Sequence, residues 1–504
     1  MIPEDYLRRL PQLLSQLEAR LSATADGSGK DAGTSSAFAG TPGSAPSSAP
    51  GIDSGEPASI HANQGSLGAG PAELDEALEA LVDRLARHYP FHHPFYAGQM
   101  LKPPHPAAWL AYALAMTINP NNHALDGGPE ASHMEKEVVQ RLGRMVGFPV
   151  DAIGHLTSSG TIANLEALWV ARELHPGRPV AISAHAHYTH QRMCQLLRQP
   201  VVILPEDEDG LPDPSRLSPD SPLPGTLVVT LGTTGLGRVE PLNRIAAWAA
   251  ANGVRIHVDA AYGGFFRLIS GSGLLDPDPW DALPGVDSIV IDPHKHGLQP
   301  YGCGSVLFRD PSVGTLYRHD SPYTYFTSDD LHLGEISLEC SRAGAAAVAL
   351  WFTMQLLVPE EPSTPDPTRN RHLGLPQILA DCRTAALRLY DELRASDRFQ
   401  PVMKPELDIV TYIPLTSERT CSAVSRASAE IMKMGMDTAS GQDRLYLSTL
   451  VLNRSEAERW LPGLDIDADQ VRVLRSVLMK PEHLHAVPDI MGRLARLHEK
   501  YLAG

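Results

Sequence analysis

Between about Gly154 and Phe308 the chain switches repeatedly from a short β-branched, apolar run to a helical pattern, and this alternation restricts the fold more than any other feature. Val180–Ser183, Leu227–Thr230, Val254–Val258 and Ser288–Ile291 each end in a polar or glycine-rich turn. Strands joined through helices run mostly parallel with helices on both faces, so the fold class expected is α/β with a large mixed, mainly parallel sheet. Ligands of such sheets gather outside the carboxyl ends of the strands. Functional residues are therefore sought just after each run.

The flanks are different in character. Leu7, Leu10, Leu14, Leu17 and Leu21 recur at helical spacing and predict an amphipathic helix. From about Ser22 to Pro71 the chain is dominated by Gly, Ser, Ala and Pro, a composition that cannot bury enough surface to offset ordering entropy, so a flexible insert is expected. A helical pattern returns from Glu73 to His88, and a proline-rich break follows at Pro359 to Pro367. The expected domains are an N-terminal helical segment over 1–90 with the insert at about 22–71, a large domain over 91–365, and a smaller C-terminal α+β domain over 366–504. Ala343 to Val358 is too short to span a membrane and carries Thr353 and Gln355, so it is expected as a buried helix. A formal net charge of -17 argues against nucleic acid or anionic lipid as partner. Five scattered cysteines without a CxxC pair, and an N-terminus unlike a secretory signal, point to a reduced cytoplasmic chain with no cysteine metal site.

Three strand ends carry chemistry. Lys295, in Asp292-Pro-His-Lys-His-Gly297, directly follows an apolar run; most lysines are solvated charges, but one crowded by two histidines and a proline can serve as a nucleophilic amine. Asp259 ends Val254–Val258, where a turn cap is the plain alternative. The small Ala261 beyond it leaves room for something flat. A pyridoxal ring asks for this set: an aspartate at its nitrogen, a small side chain under one face, and a lysine for its aldehyde. Leu156-Thr-Ser-Ser-Gly-Thr161 leads into a helical stretch in which Ile162, Leu165, Leu168 and Trp169 share a face, so its N-terminus offers amides to a phosphate, with a simple N-cap at Ser159 or Thr161 compatible with that role. Among His185, His187 and His190, the first two are expected on one side of a strand and the third in a turn; no acidic residue or cysteine completes a metal set, and His187 is read as stacking on the ring.

Together with Ser158-Ser-Gly-Thr-Ile-Ala-Asn164 and Ala186-His-Tyr-Thr189, these motifs resemble the pyridoxal-phosphate-dependent group II amino-acid decarboxylases, a family that includes aromatic amino-acid, glutamate and cysteine-sulfinate decarboxylases. The likeness runs from about Leu81 to the end and weakens in the last third. It implies the aspartate-aminotransferase fold, fold type I, and an obligate homodimer with shared active sites and the N-terminal helix on the partner subunit. It further implies that Lys295 forms the internal aldimine, Asp259 pairs with the ring nitrogen, and Ala261 and His187 bracket the ring. Ser158, Ser159, Gly160, Thr161 and His294 would surround the phosphate, with Thr233 or Thr234 nearby.

The reaction so implied converts an L-amino acid to its amine and carbon dioxide through an external aldimine and a quinonoid, reprotonated by Tyr323 or Tyr325. His93, Phe95, Tyr96 and Gln99 match a substrate-pocket segment, and Arg342 is a substrate-binding candidate with an interface brace as its alternative. Competing readings are another pyridoxal-phosphate carbon–carbon lyase, an aldehyde synthase at the same site, or a catalytically silent interaction protein.

Overall fold

Parallel pairing requires each strand to cross over through a helix or long connection before returning to the same edge. In the computed structural model, which describes residues 4–26, 71–125, 127–318, 337–359 and 374–503, the four expected strands do this and, with three further strands, form a sheet in the order β1-β7-β6-β5-β4-β2-β3. They are β1 Ile153–Thr157, β2 Val180–Ile182, β3 Val201–Ile203, β4 Thr226–Thr230, β5 Arg255–Asp259, β6 Ser288–Ile291 and β7 Gly304–Phe308. β2 to β6 pair in parallel. Residues 292–303 hold no helix, so β7 returns antiparallel and lies between β6 and β1. The carboxyl ends of β1, β2, β4, β5 and β6 thus share one edge, and β7 brings its first residue, Gly304, to it.

α1 Glu4–Asp26, α2 Pro71–Leu85, α3 Pro106–Met116 and α4 Pro129–Val146 precede β1 in the chain, and α5 Gly160–Leu174 follows it. The stripe that α5 turns to the sheet is only in part the large apolar one expected: Leu168 is fully buried against Val180, Ile182 and Val228. Ala163, Ala167 and Val170 pack on Val290, Val306 and Phe308, while Ile162, Leu165 and Trp169 are only partly buried. Small side chains let the helix approach the strands closely, which sets its N-terminus against the edge. On the other face, Leu142 and Val146 of α4 join Leu227, Val229, Val258 and Ile289 in the main core.

β8 Phe399–Pro401, β9 Ile409–Pro414, β10 Ser448–Asn453 and β11 Gln470–Val477 form a second, antiparallel sheet in the order β10-β11-β9-β8. Val410, Tyr412 and Leu474 pack there with Leu389 and Leu393 of helix Leu375–Ala395 and with Ile490 and Leu494 of helix His483–Ala503. The sequence's most apolar stretch is the helix Gly344–Leu357, with Leu350 and Met354 buried. Among the described residues no helix is long and apolar enough to cross a membrane.

Phe91–Gly504 makes one compact unit and Ile2–Pro90 another. Within the latter, Arg9 pairs with Asp75 at 2.6 Å and Arg20 pairs with Asp83. α1 continues to Asp26, past the start expected for the insert, and residues 27–70 lie outside the described residues. Pro71 opens α2, where a missing N–H costs nothing.

Candidate active site

β5 ends in Asp259, buried with 5% exposure beneath the shared edge. Its Oδ1 accepts the Ala261 amide at 3.1 Å, and its Oδ2 lies 2.8 Å from Nε2 of His190. Burial alone would raise this carboxyl, but the His190 hydrogen bond, the nearby Lys295 charge and the Ala261 amide outweigh it and hold Asp259 well below the usual carboxylate range.

β6 leads into Asp292, and Lys295 Nζ lies 3.2 Å from Asp292 Oδ2. His294 leans over Tyr301, with ring centroids 5.0 Å apart, and its Nδ1 donates to the Cys303 carbonyl at 2.7 Å. Burial lowers the His294 and His187 imidazoles. Asp292 is buried, and its Oδ1 has no hydrogen-bond partner among the described residues.

α5 begins where β1 ends. Ser159 is its N-cap and accepts the Ile162 amide at 3.4 Å; Thr157 donates to the Ser159 carbonyl at 2.9 Å. The Gly160 and Thr161 amides precede the first intrahelical bond, which runs from Ala163 to Ser159, and both residues line the same cavity. A Cβ on Gly160 would stand 2.5 Å from Asp292 Oδ2, so glycine is required for β6 and α5 to meet this closely.

One cavity collects Ser159, Gly160, Thr161, His187, Thr234, Asp259, Ala261, His294 and Lys295, all expected from the sequence. It is also lined by Asn164, Thr189, Thr230, Gly232, Tyr262 and Asp292, to which no cofactor role had been given. Ser158 is exposed and not in the lining; its amide donates to Glu339 at 2.7 Å. Thr233 is buried in the turn, where its Oγ1 accepts the Arg238 amide at 3.0 Å, so of the two threonines Thr234 faces the cavity.

The histidine triplet differs from the expected layout. β2 stops at Ile182, so His185 and His187 lie in the loop beyond it, and His190 sits in the first turn of α6 Thr189–Leu196, directed at Asp259. His185 faces away, 3.4 Å from Glu456 and close to Trp460. Among the described residues no cluster of His, Cys, Asp or Glu could hold a metal ion.

The proposed substrate segment does not line this cavity. Tyr96 bridges Tyr446, the Tyr96 carbonyl accepts Lys480 Nζ at 2.6 Å, and the Arg493 guanidinium sits 3.5 Å over the Phe95 ring. His93 Nδ1 accepts the Phe95 amide at 3.1 Å, and the Gln99 amide donates to the Tyr96 hydroxyl at 3.4 Å. Backbone pairing of Phe95 and Ala97 with Tyr446 thus ties this segment to the C-terminal part. Arg342 is likewise elsewhere: it pairs with buried Glu135 and donates to the carbonyls of Leu156 at 2.9 Å and Asn122 at 2.6 Å. Its nearly buried side chain ties the start of helix Gly344–Leu357 to β1. Tyr323 and Tyr325 lie outside the described residues.

A crossover sheet with a lysine and an aspartate at neighbouring strand ends, and a helix N-terminus beside them, defines a pyridoxal-phosphate enzyme of the aspartate-aminotransferase fold type. The residues present fit that cofactor: an amine for its aldehyde, an ionised carboxylate for its ring nitrogen, and helix amides for its phosphate. Residues 90–412 match the pyridoxal-dependent decarboxylase conserved domain, and the chain belongs to that family: it is a pyridoxal-phosphate-dependent amino-acid decarboxylase, a carboxy-lyase. It is 29% identical over 327 residues to a probable L-tyrosine/L-aspartate decarboxylase of Methanoculleus marisnigri, covering 62% of this chain and 80% of that one. It is 32% identical over 277 residues to an L-2,4-diaminobutyrate decarboxylase of Rhizobium meliloti, covering 50% and 54%. Among solved structures, Catharanthus roseus tryptophan decarboxylase in complex with L-tryptophan superposes with a TM-score of 0.72 at 17% identity, over 99% of each chain.

Proposed function

We propose that this chain converts an L-amino acid to the corresponding amine and carbon dioxide. The observation that carries the reading is the convergence of Lys295, Asp259 and the first residues of α5 on one cavity. Pyridoxal phosphate, when bound, supplies a ring that accepts the electron pair left as the α-carboxyl departs. Lys295 presents the amine that would hold the cofactor's aldehyde. Asp259, already ionised, keeps the ring nitrogen protonated. His187 would cover one face of the ring, and Ala261, with no bulk beyond Cβ, would leave space at the other. Ser159, Gly160, Thr161 and His294 hold the phosphate, with Thr234 beside them. Tyr323 or Tyr325 returns the proton to the α-carbon.

The enzyme is further proposed to act as a homodimer with shared sites. α3 supports this: Ala108, Ala111 and Ala115 are buried, while Trp109, Leu110, Leu114, Met116 and the following Ile118 are exposed, Leu114 and Met116 at 61% and 60%. An apolar face of this kind is ordinarily covered by a partner. A reducing, cytoplasmic setting belongs to the same reading and agrees with five unpaired cysteines, four of them buried.

The test is a panel of common amino acids, with cysteate and cysteine sulfinate added, assayed for amine and carbon dioxide. Equal amounts of both from one substrate are expected, with loss of the product and of the protein-linked cofactor absorbance in Lys295→Ala. Carbon dioxide without amine, or aldehyde in its place, would overturn the reading.

A further inference from the structure

His190 was assigned no role by its surroundings in sequence, yet it makes the shortest side-chain contact to Asp259. We infer that His190 is a positioning residue that fixes the Asp259 carboxylate toward the cofactor's ring nitrogen, a role resting on the pyridoxal-phosphate reading of the pocket.

Both Asp259 oxygens are held, Oδ1 by the Ala261 amide at 3.1 Å and Oδ2 by His190 Nε2 at 2.8 Å. Two donors on opposite oxygens set the plane of the carboxylate as well as its place. The tautomer follows from the contacts: Nδ1 of His190 has no hydrogen-bond partner among the described residues, so the ring proton is best used on Nε2. The other tautomer would set a nitrogen lone pair against a carboxylate and bury an N–H without an acceptor.

The imidazole is itself held. It is fully buried in the first turn of α6 and meets the His257 ring edge-on, with centroids 6.4 Å apart. His257 is in turn fixed between Asn164 Oδ1 and Ser288 Oγ, each at 2.9 Å. His190 therefore cannot swing away without displacing a second anchored ring. Asp259 lines the cavity, whereas His190 is not among its lining residues and reaches the carboxylate from α6. Charged groups form stronger hydrogen bonds than neutral pairs, so losing this donor should be felt in cofactor binding.

The test uses the full chain, stripped of cofactor and titrated with pyridoxal phosphate. His190→Phe keeps a flat ring and removes the N–H; a roughly tenfold rise in the cofactor dissociation constant is expected, with a shifted absorption band for the bound cofactor. His190→Gln retains a donor and should return both toward the wild-type values, which a merely space-filling role would not require. In wild-type protein without cofactor, proton NMR should show a strongly downfield imidazole N–H that is lost in Asp259→Asn. Should His190→Phe fail to fold, the Gln variant and the wild-type signal decide. Wild-type affinity and band in His190→Phe, no recovery in a folded His190→Gln, or no downfield proton in the wild type overturns the inference. If wild-type protein binds no pyridoxal phosphate, the pocket reading fails first, and this inference with it.

Discussion

Gly304→Ala is a sharp test of how the cofactor cradle is built. A Cβ at position 304 would stand 2.7 Å from the Ser159 carbonyl carbon, 2.7 Å from Thr157 Oγ1 and 2.9 Å from the Gly160 amide nitrogen. Carbon contacts are comfortable at about 3.5–4.0 Å, so β7 and the start of α5 must separate by about 0.8 Å or more. Two of the three atoms are backbone and cannot rotate away. Nor can α5 simply retreat, because Gly160 already abuts the buried Asp292 carboxylate from the other side. Overpacking of this kind costs about 1–3 kcal/mol, which for a cooperative unit of this size lowers the melting midpoint by about 1–5 °C. The displaced amides are those offered to the phosphate, so affinity for pyridoxal phosphate should fall more than stability does. Thermal melts with and without cofactor, and a cofactor titration, measure both. A variant that melts and binds as the parent does would refute the argument that this close approach shapes the cradle.

Other outcomes follow from the same geometry. His257 and His483 are buried imidazoles pushed down to about 3, in each case chiefly by burial. The unfolded chain takes up these protons near 6.5 and the native chain only near 3, so the unfolded state binds more protons between those values; this contribution to stability is full above about pH 6.5 and declines as pH falls through the window. The melting midpoint should therefore drop between pH 7 and pH 5, and a flat profile would contradict it. Arg342→Met should leave Glu135 without its cation and cost about 3–5 kcal/mol in urea unfolding, with KM unchanged in the folded fraction; a raised KM at unchanged stability would return Arg342 to substrate binding. Leu114→Glu on α3 should shift the molecule from dimer to monomer in sedimentation, whereas an undisturbed dimer would place the partner on another face.

The strand ends were legible for a local reason. Each catalytic candidate follows an apolar run and a turn, and both signals lie within a few residues of Lys295 or Asp259. α5 was legible as a helix but only partly in its facing: Leu168 packs on the sheet as expected, while close approach also required Ala163 and Ala167 in place of the larger Ile162, Leu165 and Trp169. The segment of His93, Phe95, Tyr96 and Gln99 matched a family pattern, yet its backbone pairing with Tyr446 depends on residues hundreds of positions away. Arg342 shows the same limit: a lone arginine before an apolar helix does not announce that Glu135 waits beside it.

From its sequence alone this chain was committed to a crossover sheet, to a lysine and an aspartate at the strand ends, and to a helix start rich in glycine and hydroxyls. Tertiary structure decided which histidine meets Asp259. His187 and His190 are three positions apart, the first in the loop after β2 and the second in the first turn of α6, and only the strand order β5-β4-β2 together with the placement of α6 brings the second of them to that carboxylate. Periodicity and turn chemistry act between near neighbours and leave a local imprint, whereas a hydrogen bond spanning 69 positions leaves none until the chain has folded.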